Sequence, residues 1–221
     1  MKKNIAICIQ VRSNSKRLKN KCFRVIKKKF LLQHCYERLK NISKSIPIYV
    51  LTTKLRSDNK IVIFCRKNKI NYYRGNNINV LNRYVSFIKK YKFKNIVRAT
   101  ADNIFTDINS AKKLIKIHLK KNNDFTTNHL SSLPKGTGID IFRSKALSEI
   151  NNIKLKKDYK EHISKFFLSK KNFFKVNKVS GLKKKNNLNL SIDNLSNFNF
   201  IKKNFEYLQK IKNFSNIKKN F

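Results

Sequence analysis

Arg12, Ser15, Arg17 and Lys21 crowd into one loop directly behind the apolar run Ile5–Gln10. Guanidinium, ammonium and hydroxyl groups at the carboxyl end of a buried strand are how open α/β sheets grip phosphates. Acids are scarce, 11 against 53 lysines and arginines, so an aspartate placed just after a strand carries weight. Asp102 lies past the run 95–98, and Asp193 past the apolar run 188–192. One or two carboxylates completed by substrate phosphates are the usual way to hold magnesium, and these two predict a shared Mg2+ site beside the basic loop. Either aspartate alone could instead cap a helix, Asp193 above all, since a helical pattern follows it. Pro134, Gly136 and Gly138 cluster in a chain with only four glycines and two prolines. Backbone freedom concentrated there predicts a loop shaped around a site, just ahead of a strand containing Asp140.

The elements that must position these groups alternate between strand-like and helix-like periodicity. Strands are expected over 5–10, 46–52, 70–73, 95–98, 125–127, 139–142, 173–179 and 188–192. Helices are expected over 31–41, 58–68, 80–91, 110–121, 159–169 and 196–210, the last with Phe198, Ile201, Phe205 and Leu208 on one face. Such alternation predicts a single α/β domain, a mostly parallel sheet covered by helices in three layers. The domain is expected over 1–212, with the lysine run 183–185 in a loop and a fraying tail over 213–221. With so little glycine, asparagine is expected to serve in many turns.

Composition narrows the classes. A hydrophobic content of 40% in 221 residues supports one core without staples. Cys8, Cys22, Cys35 and Cys65 show no C-x-x-C spacing and read as small buried hydrophobes in a reducing compartment. The formal charge of +42 is mostly lysine, accompanied by abundant Asn, Ile and Phe and little Gly, Pro or Ala. That joint bias is what AT-rich codons produce, so no specific nucleic-acid partner is inferred, although polyanions should bind loosely at low salt. No segment approaches the ~20 apolar residues that span a bilayer, and the short N-terminal apolar run lacks a cleavage site. A cytoplasmic protein is expected. Walker, dinucleotide, G-x-S-x-G and H-E-x-x-H signatures are absent, and His34 and His118 sit in helical patterns as structural or solvated residues.

Six segments, in order, resemble the sugar cytidylyltransferases, specifically the acylneuraminate and spore-coat polysaccharide branch. They are Gln10 to Lys21 (Q-x-R-x-x-S-x-R-L-x-x-K), Val80-Leu-Asn-Arg-Tyr84, Arg98-Ala-Thr-Ala-Asp-Asn103, Gly138-Ile-Asp140, Glu161-His162 and Asp193-Asn-Leu-Ser-Asn-Phe198. Departures are Lys19 and Ile104 at positions the family gives to proline, a missing first-loop glycine, and Ser196 and Asn197 in place of acids. These losses make the phosphate loop less preorganised and leave reduced activity open.

The resemblance implies a Rossmann-like nucleotidyltransferase domain of the GT-A type that transfers CMP from CTP to a small sugar, an acidic one, for surface polysaccharide. It implies that Arg12, Arg17 and Lys21 neutralise the triphosphate and that Ser15 bonds it, with Gln10, Arg98 and Thr100 also lining the nucleotide site. Asp102 and Asp193 would hold Mg2+ against the α-phosphate. Gly138, Asp140, Glu161 and His162 would line the sugar pocket, or serve as structural hydrogen-bonding groups, and Arg83 and Tyr84 could equally be helix packing. A homodimer through the region after Gly136 is implied as well. Two rivals stay open: a transferase of the same fold that uses another nucleotide sugar, and a basic polyanion-binding protein that has kept the fold without the chemistry.

Overall fold

The computed structural model describes residues 4–15, 17–129, 132–179, 187–214 and 217. β1 (Ile5–Gln10) is followed by a short hairpin, β2 (Val25–Ile26) and β3 (Lys29–Phe30), which leads into α1 (Leu31–Lys40). Then come β4 (Ile48–Thr53), α2 (Asn59–Lys67), β5 (Asn71–Gly75), α3 (Val80–Tyr91), β6 (Asn95–Thr100) and α4 (Ile108–Lys121). The remainder is β7 (Phe125–Thr127), β8 (Asp140–Arg143), α5 (Ser144–Asn151), α6 (Lys157–Glu161), α7 (Ile163–Ser169), β9 (Val176–Lys178), α8 (Leu195–Lys203) and α9 (Phe205–Lys210). Seven strands form one sheet in the order β5-β4-β1-β6-β8-β7-β9, in which β8 alone runs against the rest.

β1 and β4 are buried almost along their whole length because helices cover both faces. Ile5, Ile7 and Ile9 of β1 enter a core with Val50, Val97, Leu31, Ile61, Leu114 and Phe198. Ala6 and Cys8, one residue out of phase, enter a second core with Tyr49, Leu51, Val85, Leu147 and Phe167. Period-two alternation thus builds the expected three layers. From β1 the chain winds to β4 and β5 on one side, then returns to β6 on the other, so the topological switch point lies between β1 and β6. Gln10 and Thr100 are register partners at the carboxyl ends of these two strands, which sets the loops that follow them side by side. All four cysteines are buried, and no helix among the described residues is long and apolar enough to cross a membrane.

Several expected elements differ. The helix expected over 159–169 is two, because His162 (φ −109°, ψ 68°) leaves helical geometry between α6 and α7. Residues 196–210 break likewise at Asn204 (φ −99°, ψ 11°), although Phe198, Ile201, Phe205 and Leu208 all stay buried. The run 188–192 forms no strand: Asn189 makes one isolated bridge to Lys135, and Leu188, Leu190 and Ile192 sink into the core. The strand expected over 173–179 contracts to β9. Left-handed backbone falls on Lys27, Lys28, Lys69 and Lys92 more often than on asparagine, which takes Asn20 and Asn122. Phe214, within the segment expected to fray, is buried beside Phe105, and its N–H donates to Asp107 Oδ2. The lysine run 183–185 and the tail other than Asn213, Phe214 and Ile217 lie outside the described residues.

His118 on α4 is structural, as its helical setting suggested. Its Nδ1 lies 2.8 Å from Thr126 Oγ1 and its Nε2 3.2 Å from Asn95 Oδ1. Burial, reinforced by Arg143, pushes its pKa down from 6.5 to about 4. Between those values the unfolded chain binds a proton that the folded one refuses. Stability is therefore untouched above pH 6.5 and falls by up to about 3 kcal/mol as pH drops towards 4. Urea melts at pH 7 and pH 5 should show about 2 kcal/mol of this loss in the wild type and less in His118→Asn; equal losses would exclude His118 as the cause.

Candidate active site

A cleft of about 510 Å³ opens where the β1 and β6 loops emerge. Gln10, Arg12, Ser15, Arg17 and Lys21 line it from the first loop; Arg98, Thr100 and Asp102 line it from β6 and beyond; Glu161 and His162 close it from the α6–α7 junction. Lys21 Nζ donates to Asp102 Oδ2 at 2.6 Å, in a pair 15% and 23% exposed. Arg12 pairs with Glu161 at 3.2 Å. Arg98 donates from Nε to Gln10 Oε1 (3.1 Å) and from Nη1 to Asp140 Oδ2 (3.2 Å). The thiol in the cleft, Cys22, is pushed up to about 12 by burial and stays protonated.

Asp193 stands just outside this lining but beside it. The Ile192 N–H donates to the Asp102 carbonyl at 3.1 Å, so the two aspartates occupy adjacent backbone. Asp193 Oδ1 accepts from Arg17 at 2.9 Å and Oδ2 from Lys135 at 3.2 Å. Burial pushes this carboxyl up, but Lys135, Arg17 and Lys21 together hold it below the usual carboxylate range. Neither aspartate caps a helix. Asn194 caps α8 by accepting from the Asn197 N–H, and Asp107, not Asp102, caps α4. The Gly136 backbone fixes this arrangement. At φ +92° a Cβ would lie 2.5 Å from Ser191 N, so only glycine lets the 134–138 loop lie against residues 188–191 and carry Lys135 to Asp193. Carboxylates on such adjacent backbone are hard oxygen donors of the kind magnesium takes in company with phosphate oxygens. Among the described residues no third His, Cys, Asp or Glu joins them, so nucleotide and water would complete the shell.

Asp140 lies beside a second cavity, about 230 Å³, lined also by Arg98, Thr127, His129, His162, Ser164 and Lys165. Ser164 Oγ donates to Asp140 Oδ2 at 2.6 Å, and His129 Nε2 lies 3.7 Å from Oδ1. Burial pushes the Asp140 carboxyl up, yet His129, Arg98 and hydroxyls from Ser164 and Thr127 outweigh it and hold the pKa low. Arg98 and His162 belong to both cavities, which therefore adjoin. Gly138 lines neither. A Cβ there would lie 2.8 Å from His129 Nδ1, so glycine at this position lets the chain pass that side chain.

Sequence reasoning missed Asp58. Its place at the start of a helical pattern suggests a cap, but its side chain caps nothing. Buried, it accepts from the Ser13 N–H (2.8 Å), Ser13 Oγ (2.7 Å), Thr52 Oγ1 (3.0 Å) and both N–H and hydroxyl of Thr53. Ser13, not Ser15, is thus the anchored serine of the basic loop. The available signal was an acid soon after β4, the rule that singled out Asp102. Lys135, His129 and Ser164 were missed too. Arg83 lines the cleft while donating to Asn76 O at 3.0 and 2.9 Å, and Tyr84 is fully buried packing.

Cations set against carboxylates at the switch point of a mostly parallel sheet, with the neighbouring thiol held inert, equip this fold for nucleotidyl transfer between bound substrates. A family profile described as cytidylyltransferase matches residues 6–219, and the chain belongs to the cytidylyltransferase family. It is similar to a cytidylyltransferase structure from Leptospira borgpetersenii serovar Hardjo-bovis, with 26% identity, a TM-score of 0.86, and 93% of this chain and 87% of that one covered. An uncharacterised protein of Methanocaldococcus jannaschii is 32% identical over 86% of this chain and 78% of its own length. The spore coat polysaccharide biosynthesis protein SpsF of Bacillus subtilis is 25% identical over 78% and 73%. The protein is accordingly a CTP-using nucleotidyltransferase.

Proposed function

We propose that the enzyme transfers CMP from CTP to a hydroxyl of a small acidic sugar, releasing pyrophosphate, in the service of surface polysaccharide. One observation carries the reading: Arg12, Arg17, Lys21 and Asp102 converge on one cleft from loops set side by side by the Gln10–Thr100 register. The similarity to a spore coat polysaccharide biosynthesis protein supports the sugar. Arg98, Lys165 and two histidines line the smaller cavity with Asp140; Asp158 pairs with Lys165 and His162 from outside that lining, and the remaining excess of basic groups supports an anionic acceptor. A homodimer and a cytoplasmic location belong to the same reading.

In this mechanism Arg12, Arg17 and Lys21 bind the triphosphate, with Ser15 donating to it and Gln10, held by Arg98, at the nucleotide side of the cleft. The acceptor lies across the Arg98 boundary, near Asp140 and His162. Its hydroxyl attacks the α-phosphorus in line as the bond from that phosphorus to the bridging oxygen breaks; the hydroxyl proton passes to solvent and pyrophosphate departs towards the basic loop. Positioning and charge neutralisation supply the rate, with no protein nucleophile. Mg2+ between Asp102 and Asp193 would neutralise charge developing on the α-phosphate.

CTP with magnesium should raise the melting temperature more than ATP, GTP or UTP. At about 100-fold above its dissociation constant it should add about 2.7 kcal/mol. Equal shifts from all four would reduce the cleft to a polyanion trap. Pyrophosphate release from CTP should then be faster with sugar acids than with neutral sugars, and the reverse order would remove the acidic acceptor.

A further inference from the structure

The two carboxylates proposed to hold a divalent cation already carry the protein's own counter-ions. Three of their four oxygens accept from cationic donors: Asp102 Oδ2 from Lys21, Asp193 Oδ1 from Arg17, and Asp193 Oδ2 from Lys135. We propose that these side chains, Lys21 foremost and Lys135 with it, are placeholders for the metal. They occupy its ligands in the free enzyme, so that a divalent cation enters only in company with a nucleoside triphosphate. The inference rests on the reading of Asp102 and Asp193 as metal ligands.

The chemistry favours exchange over simple addition. A divalent ion entering alone meets three positive groups around two negative ones, and each ligand oxygen must first lose a charge-assisted hydrogen bond. A triphosphate reverses both effects. Its anionic oxygens accept from Lys21, Arg17 and Lys135, release the carboxylates and supply the remaining metal ligands. The placeholders are not equal. Arg17 and Lys135 side chains are 69% and 66% exposed, and pairs so open to water exchange readily. Lys21, 15% exposed and 2.6 Å from its acid, is the main barrier. Lys135 owes its place to the built loop: its N–H donates to Leu188 O and its carbonyl accepts from the Leu190 N–H, held there by the left-handed Gly136. A loop so constrained gives a mostly exposed lysine a fixed duty and assigns the Gly-rich segment a purpose.

The test is Mn2+ binding to the full-length protein without nucleotide, read by water-proton relaxation enhancement. Wild type should bind weakly, and Lys21→Met at least about tenfold more tightly, as expected when a partly buried competing charge is removed. Lys19→Met removes the same charge from an exposed position in the same loop and should match wild type. The gain should vanish in the Lys21→Met, Asp102→Asn double variant. Lys135→Met, at an exposed side chain, should show a smaller gain and covers the case of Lys21→Met failing to fold. No gain from either lysine variant, or an equal gain from Lys19→Met, overturns the exchange. A separate arm with CTP present distinguishes the two failures. If Asp102→Asn then weakens Mn2+ binding, the metal site stands without the exchange; if it does not, the metal reading falls and the exchange with it.

Discussion

Asp102→Asn is expected to lower pyrophosphate release from CTP about a hundred- to a thousandfold, the scale seen when one preorganised electrostatic group is removed from a reaction centre. The fold should survive. The Asp102 main chain is held independently by its carbonyl, which accepts from Ile192 N, and asparagine has the same shape. What is lost is the negative charge that Lys21 now faces at 2.6 Å. Asp193→Asn should behave likewise, since its neighbour Ile192 ties the two loops together. The double variant should be scarcely slower than either single one, because groups acting as a unit do not add. Single-turnover rates with melting curves alongside make the check. A double variant slower by the product of the single effects would mean that the aspartates work separately.

Asp58→Ala should cost about 3 kcal/mol or more of stability and weaken CTP binding at least about tenfold, though Asp58 touches no substrate in the proposed mechanism. Removing the carboxylate strands donors of Ser13, Thr52 and Thr53 in a buried site, each a desolvated group without a partner. Ser13 lies in the loop that carries Arg12, Ser15 and Arg17, so its release loosens them all. Burial pushes the Asp58 carboxyl up, but hydrogen bonds from Thr53, Ser13 and Thr52 pull it below 3.8. A depressed carboxylate stabilises the fold above its unfolded value and loses that contribution as pH falls through its folded one. Wild type should therefore lose stability more steeply than the alanine variant below about pH 3.8. Denaturant melts and CTP titrations check both effects, and an alanine variant that binds CTP like wild type would free the loop from this anchor.

The sheet was legible because its signals are long and redundant. β1, α3 and β7 fall on the expected bounds, since an unbroken apolar run or a capped amphipathic helix leaves little choice. The residues of the main cleft were legible for a simpler reason: loops at a switch point must meet, whatever their sequence. Illegible features depended on tertiary partners. The 188–192 run has strand composition, but Gly136 and Lys135 take its backbone for a loop contact. The hairpin after Phe23 turns on Lys27 and Lys28, where sequence rules look for Asn-Gly. Asp58 hid as a helix start. Asp140 was marked by the glycine and proline cluster ahead of it and given a role by resemblance, whereas its partners His129 and Ser164 lie on segments that no pattern connects to it.

The sheet also divides the enzyme's liabilities. Leu18, Cys22, Ala101, Ile104, Ile192 and Phe198, which flank the basic loop and both aspartates, belong to one core. Phe166 and Phe167, on the helix that carries Ser164 and Lys165, belong with Phe125 and Phe142 to the other. Substitutions that repack the second core can shift the proposed acceptor pocket by fractions of an ångström while the basic loop and both aspartates stay seated on the first. On the proposed function, a lineage of such enzymes can therefore drift in its acceptor without first losing its grip on CTP, and directed evolution of acceptor range should begin beneath α7.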